Sequence, residues 1–257
     1  MLRNQDILTI SWLLEDKDPF SWYAFIVKYL TDKDGEELPE GIFVYGGPWK
    51  YLTFLNLVMQ MAFFGLAAVN DLQPGKEGKS ILSKFKDLLF SVFAFPVGTF
   101  VVLLFWAIFA YDRELVYPAA IDTFFPPWMN HAMHTFVLPV LLGEVLVQPH
   151  AYPQTKHALG ALGIVGLAYL FWIIWVYISV GIWVYPLLGL FSTAGLVGFF
   201  FLNMSVVTFL YLLGDKLNSC VWGKRRLARH IIQTSQTSHE ITSNLSLCLT
   251  LSFVSFL

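Results

Sequence analysis

Thr53 and His134 are the residues of this chain whose types and placement could do chemistry. Each lies near the start of an apolar stretch long enough to cross a bilayer, Thr53 just past Tyr51 and His134 a turn and a half past Trp128. A threonine hydroxyl is a weak nucleophile until a neighbouring base takes its proton, and a neutral imidazole is such a base at pH 7. A hydroxyl and an imidazole that meet at one membrane face are the minimum for nucleophilic hydrolysis of an ester lipid. At 1.5 Å per residue they lie roughly 3 and 9 Å below their entry points, a difference helix tilt covers.

Other polar residues inside the apolar stretches compete for roles. Asn56 and Gln60 follow Thr53 at helical spacing and make a polar stripe, which in lipid turns toward other helices as hydrogen-bonding glue. His131 and His134 share a face, with Thr135 one turn from His131. A bare His-x-x-His could ligate a metal, but His150, His157, His230 and His239 lie elsewhere, too few converge, and no metal or cofactor is expected. Asn56, Asn130 and Arg113 are candidates for stabilising an oxyanion, and Arg113 also for holding a substrate carboxylate. Glu144, deep in its stretch, reads as a snorkelling or interhelical carboxylate, and Asp215-Lys216 as the cap of the last stretch. No Gly-x-Ser-x-Gly elbow, phosphate loop or dinucleotide fingerprint is placed to function.

The elements that must position these residues follow from composition. The chain of 257 residues is 56% hydrophobic and 17% aromatic, with 13% charged residues and a mean hydropathy of +0.61. Soluble domains carry about 25% charged residues, so this chain has too much apolar surface for water. Tyr51 to Val69, Leu88 to Tyr111, Trp128 to Val147, Ala158 to Ile178 and Leu188 to Leu213 each reach the length that crosses a bilayer. The predicted fold is therefore an all-α, polytopic membrane helix bundle with five clear transmembrane helices. A first one, within Ile7 to Leu30, is interrupted by Glu15-Asp16-Lys17-Asp18-Pro19, a costly insertion at mid-membrane. Pro96 and Pro139 should kink their helices, and the last span starts late or tilts. Cys220 and Cys248 supply no disulfide framework, no cleavable signal peptide is expected, and a net charge of −2 gives no hint of nucleic acid.

Basic residues set the expected orientation. Lys76, Lys79, Lys84 and Lys86 follow the Thr53 stretch, and Lys216, Lys224, Arg225, Arg226 and Arg229 follow the last one. The connection between Tyr111 and Trp128 holds only Arg113, and that near Tyr185 holds none. The positive-inside rule then puts Thr53 and His134 at the non-cytoplasmic face of a cell membrane or endomembrane, with both termini cytoplasmic if there are six crossings. Trp49, Tyr51, Trp128, Trp183 and Tyr185 fit an aromatic belt at that face.

The runs Gly46-Gly47-Pro48-Trp49-Lys50-Tyr51-Leu52-Thr53-Phe54, Ala94-Phe95-Pro96-Val97, Tyr111-Asp112-Arg113-Glu114-Leu115-Val116-Tyr117-Pro118, Trp128-Met129-Asn130-His131-Ala132-Met133-His134-Thr135, Trp183-Val184-Tyr185-Pro186 and Tyr211-Leu212-Leu213-Gly214 come in order at suitable spacing. Together they resemble the family of the androgen-induced gene 1 protein and the androgen-dependent TFPI-regulating protein, from about Ser21 to Trp222. The resemblance implies a six-span membrane hydrolase that cleaves fatty acid esters of hydroxy fatty acids, with Thr53 as nucleophile, His134 as base and His131 in support. Its partners would be the lipid ester and membrane lipids. Residues 1–20 and a tail over 223–257 depart from the pattern, leaving 21–222 as the hydrolase domain. The competing class is a non-enzymatic regulatory or lipid-binding membrane protein whose polar residues only hold helices together.

Overall fold

The computed structural model describes residues 19–32, 45–72, 80–123 and 125–254, with side chains through residue 223 except Ala120 and Thr123. Ile7–Leu14, the charged interruption up to Asp18, Lys76, Lys79 and the side chains of the basic tail lie outside that description. Two units divide at Asp215; the second begins at Lys216.

The first unit is a bundle of helices, with no strand among the described residues. Among the described residues, five helices are long and apolar enough to cross a membrane: Leu52–Asp71, Ile81–Tyr111, Pro127–Val147, Thr155–Val180 and Thr193–Gly223. The chain is a polytopic membrane helix bundle. The remnant ahead of these is helix α1, Pro19–Asp32, whose 14 residues are too few to cross unaided. Tyr23, Ile26 and Leu30 form its buried stripe, laid along α2, Leu52–Asp71. Tyr23 stacks on Phe64 at 5.7 Å between ring centres.

The second crossing is built in three pieces: α3, Ile81–Leu88; a π-helical turn, Leu89–Ala94; and α4, Phe95–Tyr111. Pro96 explains the interruption, because it lacks an N–H and its ring crowds the carbonyl one turn earlier. The third crossing is likewise split, into α5, Pro127–His134, and α6, Val137–Val147. Pro139 imposes the same conflict on the carbonyl of Thr135, and the helix breaks at Thr135 and Phe136. Both prolines thus interrupt their crossings, as expected.

Helix α7, Thr155–Val180, ends on Gly181 in the left-handed conformation. Helix α8 has the bounds Thr193–Val254, so the last crossing starts late, after a 3-10 turn at Pro186–Leu190. It runs through Asp215 and Lys216 without ending, which corrects the expected cap there. No proline follows that pair to stop the helix.

Two apolar clusters organise α4, α7 and α8. One, toward the end bearing Lys84 and Lys86, gathers Val92, Phe100, Val101, Leu162, Val207 and Leu210, with Leu52 against it. The other gathers Ile173, Val176, Val184 and Leu188, with Tyr51, Tyr169 and Tyr185 against it. Thr53 follows Tyr51 and Leu52, which pack one against each of these clusters.

Candidate active site

Thr53 owes its position to the turn before it. Gly46 and Gly47 take positive φ, at 85° and 50°. A Cβ on Gly46 would also come within 3.2 Å of the Trp172 ring, so only glycine fits there. Pro48 then starts a short 3-10 turn, Tyr51 is extended, and α2 begins at Leu52. No side chain caps this helix from Tyr51. Instead the Leu52 N–H donates to the Tyr185 hydroxyl at 2.9 Å, and the Tyr169 hydroxyl donates to Lys50 O at 3.0 Å. Thr53 is thereby fixed in the first turn, where backbone N–H groups lack intrahelical acceptors.

His134 is the last residue of α5, and the helix break leaves its carbonyl without the usual acceptance from within the helix. The Trp106 indole N–H fills that vacancy at 2.7 Å. The His134 ring is buried, 4% exposed, and stacks on Phe105 at 3.5 Å between centres and 8° between planes. Its Nδ1 lies 2.8 Å from Asn130 Oδ1 and 3.2 Å from Asn130 O. A backbone carbonyl can only accept, so Nδ1 carries the proton and Nε2 presents its lone pair. That lone pair faces Thr53 Oγ1 at 3.1 Å. The pair lies within hydrogen-bond reach, with a third residue orienting the imidazole, as the general pattern of an activated hydroxyl nucleophile requires.

The other residues singled out in the sequence are placed elsewhere. Asn130 turns its side-chain oxygen to His134 and so orients the ring. His131 is exposed, bonds Thr135 Oγ1 at 3.0 Å and lies against Trp106. Asn56 is buried, accepts from Gln60 at 3.1 Å, and its amide nitrogen has no partner among the described residues. It faces the position of Gly98 and does not line the cavity described below. Gln60 also donates to Ala94 O at 2.9 Å, tying α2 to the π-helical turn as glue. Arg113 pairs with Asp122 at 2.8 Å, donates to Tyr117 O at 3.3 Å, and lies over the Phe109 and Tyr117 rings. Its guanidinium is thus committed within its own loop. Tyr185, read as part of an interfacial belt, also closes the start of α2. Glu144 pairs with His150 at 3.1 Å, near the other end of the bundle. Among the described residues no three His, Cys, Asp or Glu side chains converge to hold a metal.

A cavity of about 900 Å³ opens along Thr53. Apolar side chains of α4, α7 and α8 form most of its wall, including Val101, Phe105, Leu170, Ile173, Phe200 and Val207. Sequence reasoning missed Phe105, Trp106 and Tyr169. Only Asn130, one helical turn before His134, carried a local signal, because residues so spaced share a helix face.

The fold and site define a class: a multi-pass membrane protein in which a threonine lining an apolar cavity is bonded to a buried histidine behind it. The chain belongs to the FAR-17a/AIG1-like protein family, whose model matches residues 18–219. It is similar to the androgen-dependent TFPI-regulating protein of Homo sapiens, 45% identical over 212 residues, covering 81% of this chain and 92% of that protein. The protein of the same name from Rattus norvegicus is 44% identical over 208 residues, covering 79% and 90%. The androgen-induced gene 1 protein of Homo sapiens is 40% identical over 193 residues, covering 71% and 81%. No solved structure matches the chain.

Proposed function

We propose that the protein is a membrane hydrolase that cleaves fatty acid esters of hydroxy fatty acids, with Thr53 as nucleophile and His134 as general base and acid. The observation that carries this reading is the 3.1 Å approach of His134 Nε2 to Thr53 Oγ1 at the wall of an apolar cavity. His134 Nε2 takes the hydroxyl proton as Thr53 Oγ1 attacks the ester carbonyl. The tetrahedral intermediate collapses to an acyl-threonine, and the imidazolium gives its proton to the departing hydroxy fatty acid oxygen. Water, deprotonated by the same nitrogen, then attacks the acyl-threonine and releases the fatty acid and the free hydroxyl. Asn130 keeps the Nδ1–H tautomer in place throughout. Thr53 lies in the first turn of α2, so the positive end of the helix dipole would favour the negative charge of the oxyanion beside it.

By the positive-inside rule, the Lys84 and Lys86 end is cytoplasmic and the Thr53 end faces the opposite side. Replacing Thr53 with Ala should lower turnover of a hydroxy fatty acid ester by about 10⁴-fold or more, as loss of a nucleophile does, and abolish labelling by a fluorophosphonate probe. Cleavage and labelling that persist in the purified variant would end this assignment.

A further inference from the structure

Along α7 the cavity lining runs both ways from the level of Thr53, and the two directions are its arms. The Tyr169 hydroxyl bonds Lys50 O, three residues before Thr53, and so marks the level of the nucleophile on α7. From there the cavity extends one way past Gly166, Gly163 and Leu162, faced by Val101 of α4 and by Met204 and Val207 of α8. It extends the other way past Ile173, Tyr177 and Ile178, faced by Trp183, Leu188 and Leu196. From Leu162 to Ile178 the rise along α7 is about 24 Å, most of a hydrocarbon core of about 30 Å. A nucleophile partway along such a path divides whatever lies in it into two segments.

The arms differ in chemistry. The first ends against the cluster of Val101, Leu162, Val207 and Leu210, and its walls there are apolar. Asn203, the polar side chain nearest Met204, turns its amide nitrogen back to Phe199 O at 2.9 Å. A carboxylate in this arm would lose its hydration with no partner in return. The second arm runs to Thr193 and to the connection after Gly181, where the helices end. The hydrocarbon end of a chain suits the first arm, and an acid head group reaches water through the second.

Two glycines shape the first arm. A Cβ on Gly166 would fall 2.6 Å from Met204 Sδ, so glycine lets α8 close there. A Cβ on Gly163 would meet nothing within 4 Å, although Gly163 lines the cavity. The space beside Gly163 is therefore room that the protein leaves open, about 4.5 Å farther along the arm than Gly166.

We propose that this arm is a fatty-acyl subsite whose passage at Gly163 takes the acyl chain transferred to Thr53, the carbons nearest the ester lying beside it and a longer chain running on past Gly163, while the hydroxy acid portion lies in the opposite arm. The proposal rests on the hydrolase reading. It assigns acyl-chain length selectivity to Gly163 and separates it from selectivity for the leaving group.

The test uses the full chain in lipid nanodiscs, comparing the unaltered protein with Gly163→Ala, Gly163→Leu and Gly163→Phe. One ester series keeps the hydroxy acid and varies the acyl group from butanoyl through decanoyl to hexadecanoyl. A second series keeps hexadecanoyl and shortens the hydroxy acid. Gly163→Phe should lower kcat/KM for the hexadecanoyl relative to the butanoyl ester about 10-fold or more, the low end of discrimination by an apolar pocket. Gly163→Leu should do so less, Gly163→Ala least, and the second series should keep its unaltered ratios. A ratio unchanged in Gly163→Leu and Gly163→Phe, or a loss that follows hydroxy acid length, would overturn the subsite. Fluorophosphonate labelling at Thr53 separates the failures. Labelled, butanoyl-cleaving protein without chain selectivity sinks only the subsite, whereas an unaltered protein that neither labels nor cleaves sinks the hydrolase reading and the subsite with it. If Gly163→Phe does not label, Gly163→Leu decides.

Discussion

Asn130 gives the imidazole of His134 its orientation, and its contribution can be isolated. Asn130→Ala removes the 2.8 Å contact but leaves the backbone carbonyl at 3.2 Å as a weaker acceptor for Nδ1–H. On the hydrolase reading, the expected result is a fall in kcat of about 10²-fold, the lower end of what general acid–base catalysis contributes, with KM little changed. Steady-state kinetics on one ester would check this; a fall in KM-dependent binding alone would assign Asn130 to substrate contact. The threonine and histidine were legible because their types are rare near the start of an apolar run and because family motifs surround them. The aromatic surroundings were not. Phe105 and Trp106 sit in a helix with no distinguishing polar pattern, and their contacts with His134 cross 28 or 29 positions of sequence. The part Tyr185 plays at the start of α2 was not legible, because an aromatic ring beside a short polar connection suits an interface as well as it suits a hydroxyl bonded to a helix start.

At the scale of elements, the crossings were legible because about 20 apolar residues leave few alternatives in lipid. The proline interruptions were legible too, since the steric conflict of proline is local. What periodicity could not provide was how the broken ends are satisfied: Trp106 serves the end of α5 and Tyr185 the start of α2. The contact of α2, α4 and α6 offers a test of how tight this arrangement is. A Cβ on Gly98 would fall 2.7 Å from both Gln60 Nε2 and Leu141 Cδ1. Moving Gln60 would disturb its bonds to Asn56 and Ala94. Gly98→Ala should therefore cost about 1 to 3 kcal/mol in overpacking, more than the roughly 1 kcal/mol gained in helix propensity. A lower Tm in detergent would be the readout, and a raised Tm would mean the contact is slack.

For the whole molecule, the end of the bundle away from Thr53 is held by charge. His150 is 2% exposed, with Nδ1 3.1 Å from Asp87 and Nε2 3.1 Å from Glu144. Lys86 lies 3.9 Å from the same Asp87 oxygen and donates to Gln148 at 2.9 Å. Burial by itself would lower the pKa of His150, but hydrogen bonds to both carboxylates and their charges outweigh it and raise the pKa above the ordinary value. A raised pKa means that this stabilisation is complete below about pH 6.5 and is lost as pH climbs through the folded-state value. Thermal stability should fall over that interval, and His150→Gln should flatten the dependence while costing about 3 kcal/mol or more. A pH profile shared by both proteins would show that other groups set it. The cavity has a different consequence. On the hydrolase reading, ester and both products are amphiphiles that share one bilayer with the enzyme. Encounter is then two-dimensional, and turnover follows the mole fraction of ester among surrounding lipids, so that adding inert lipid slows the reaction even when bulk molarity is unchanged.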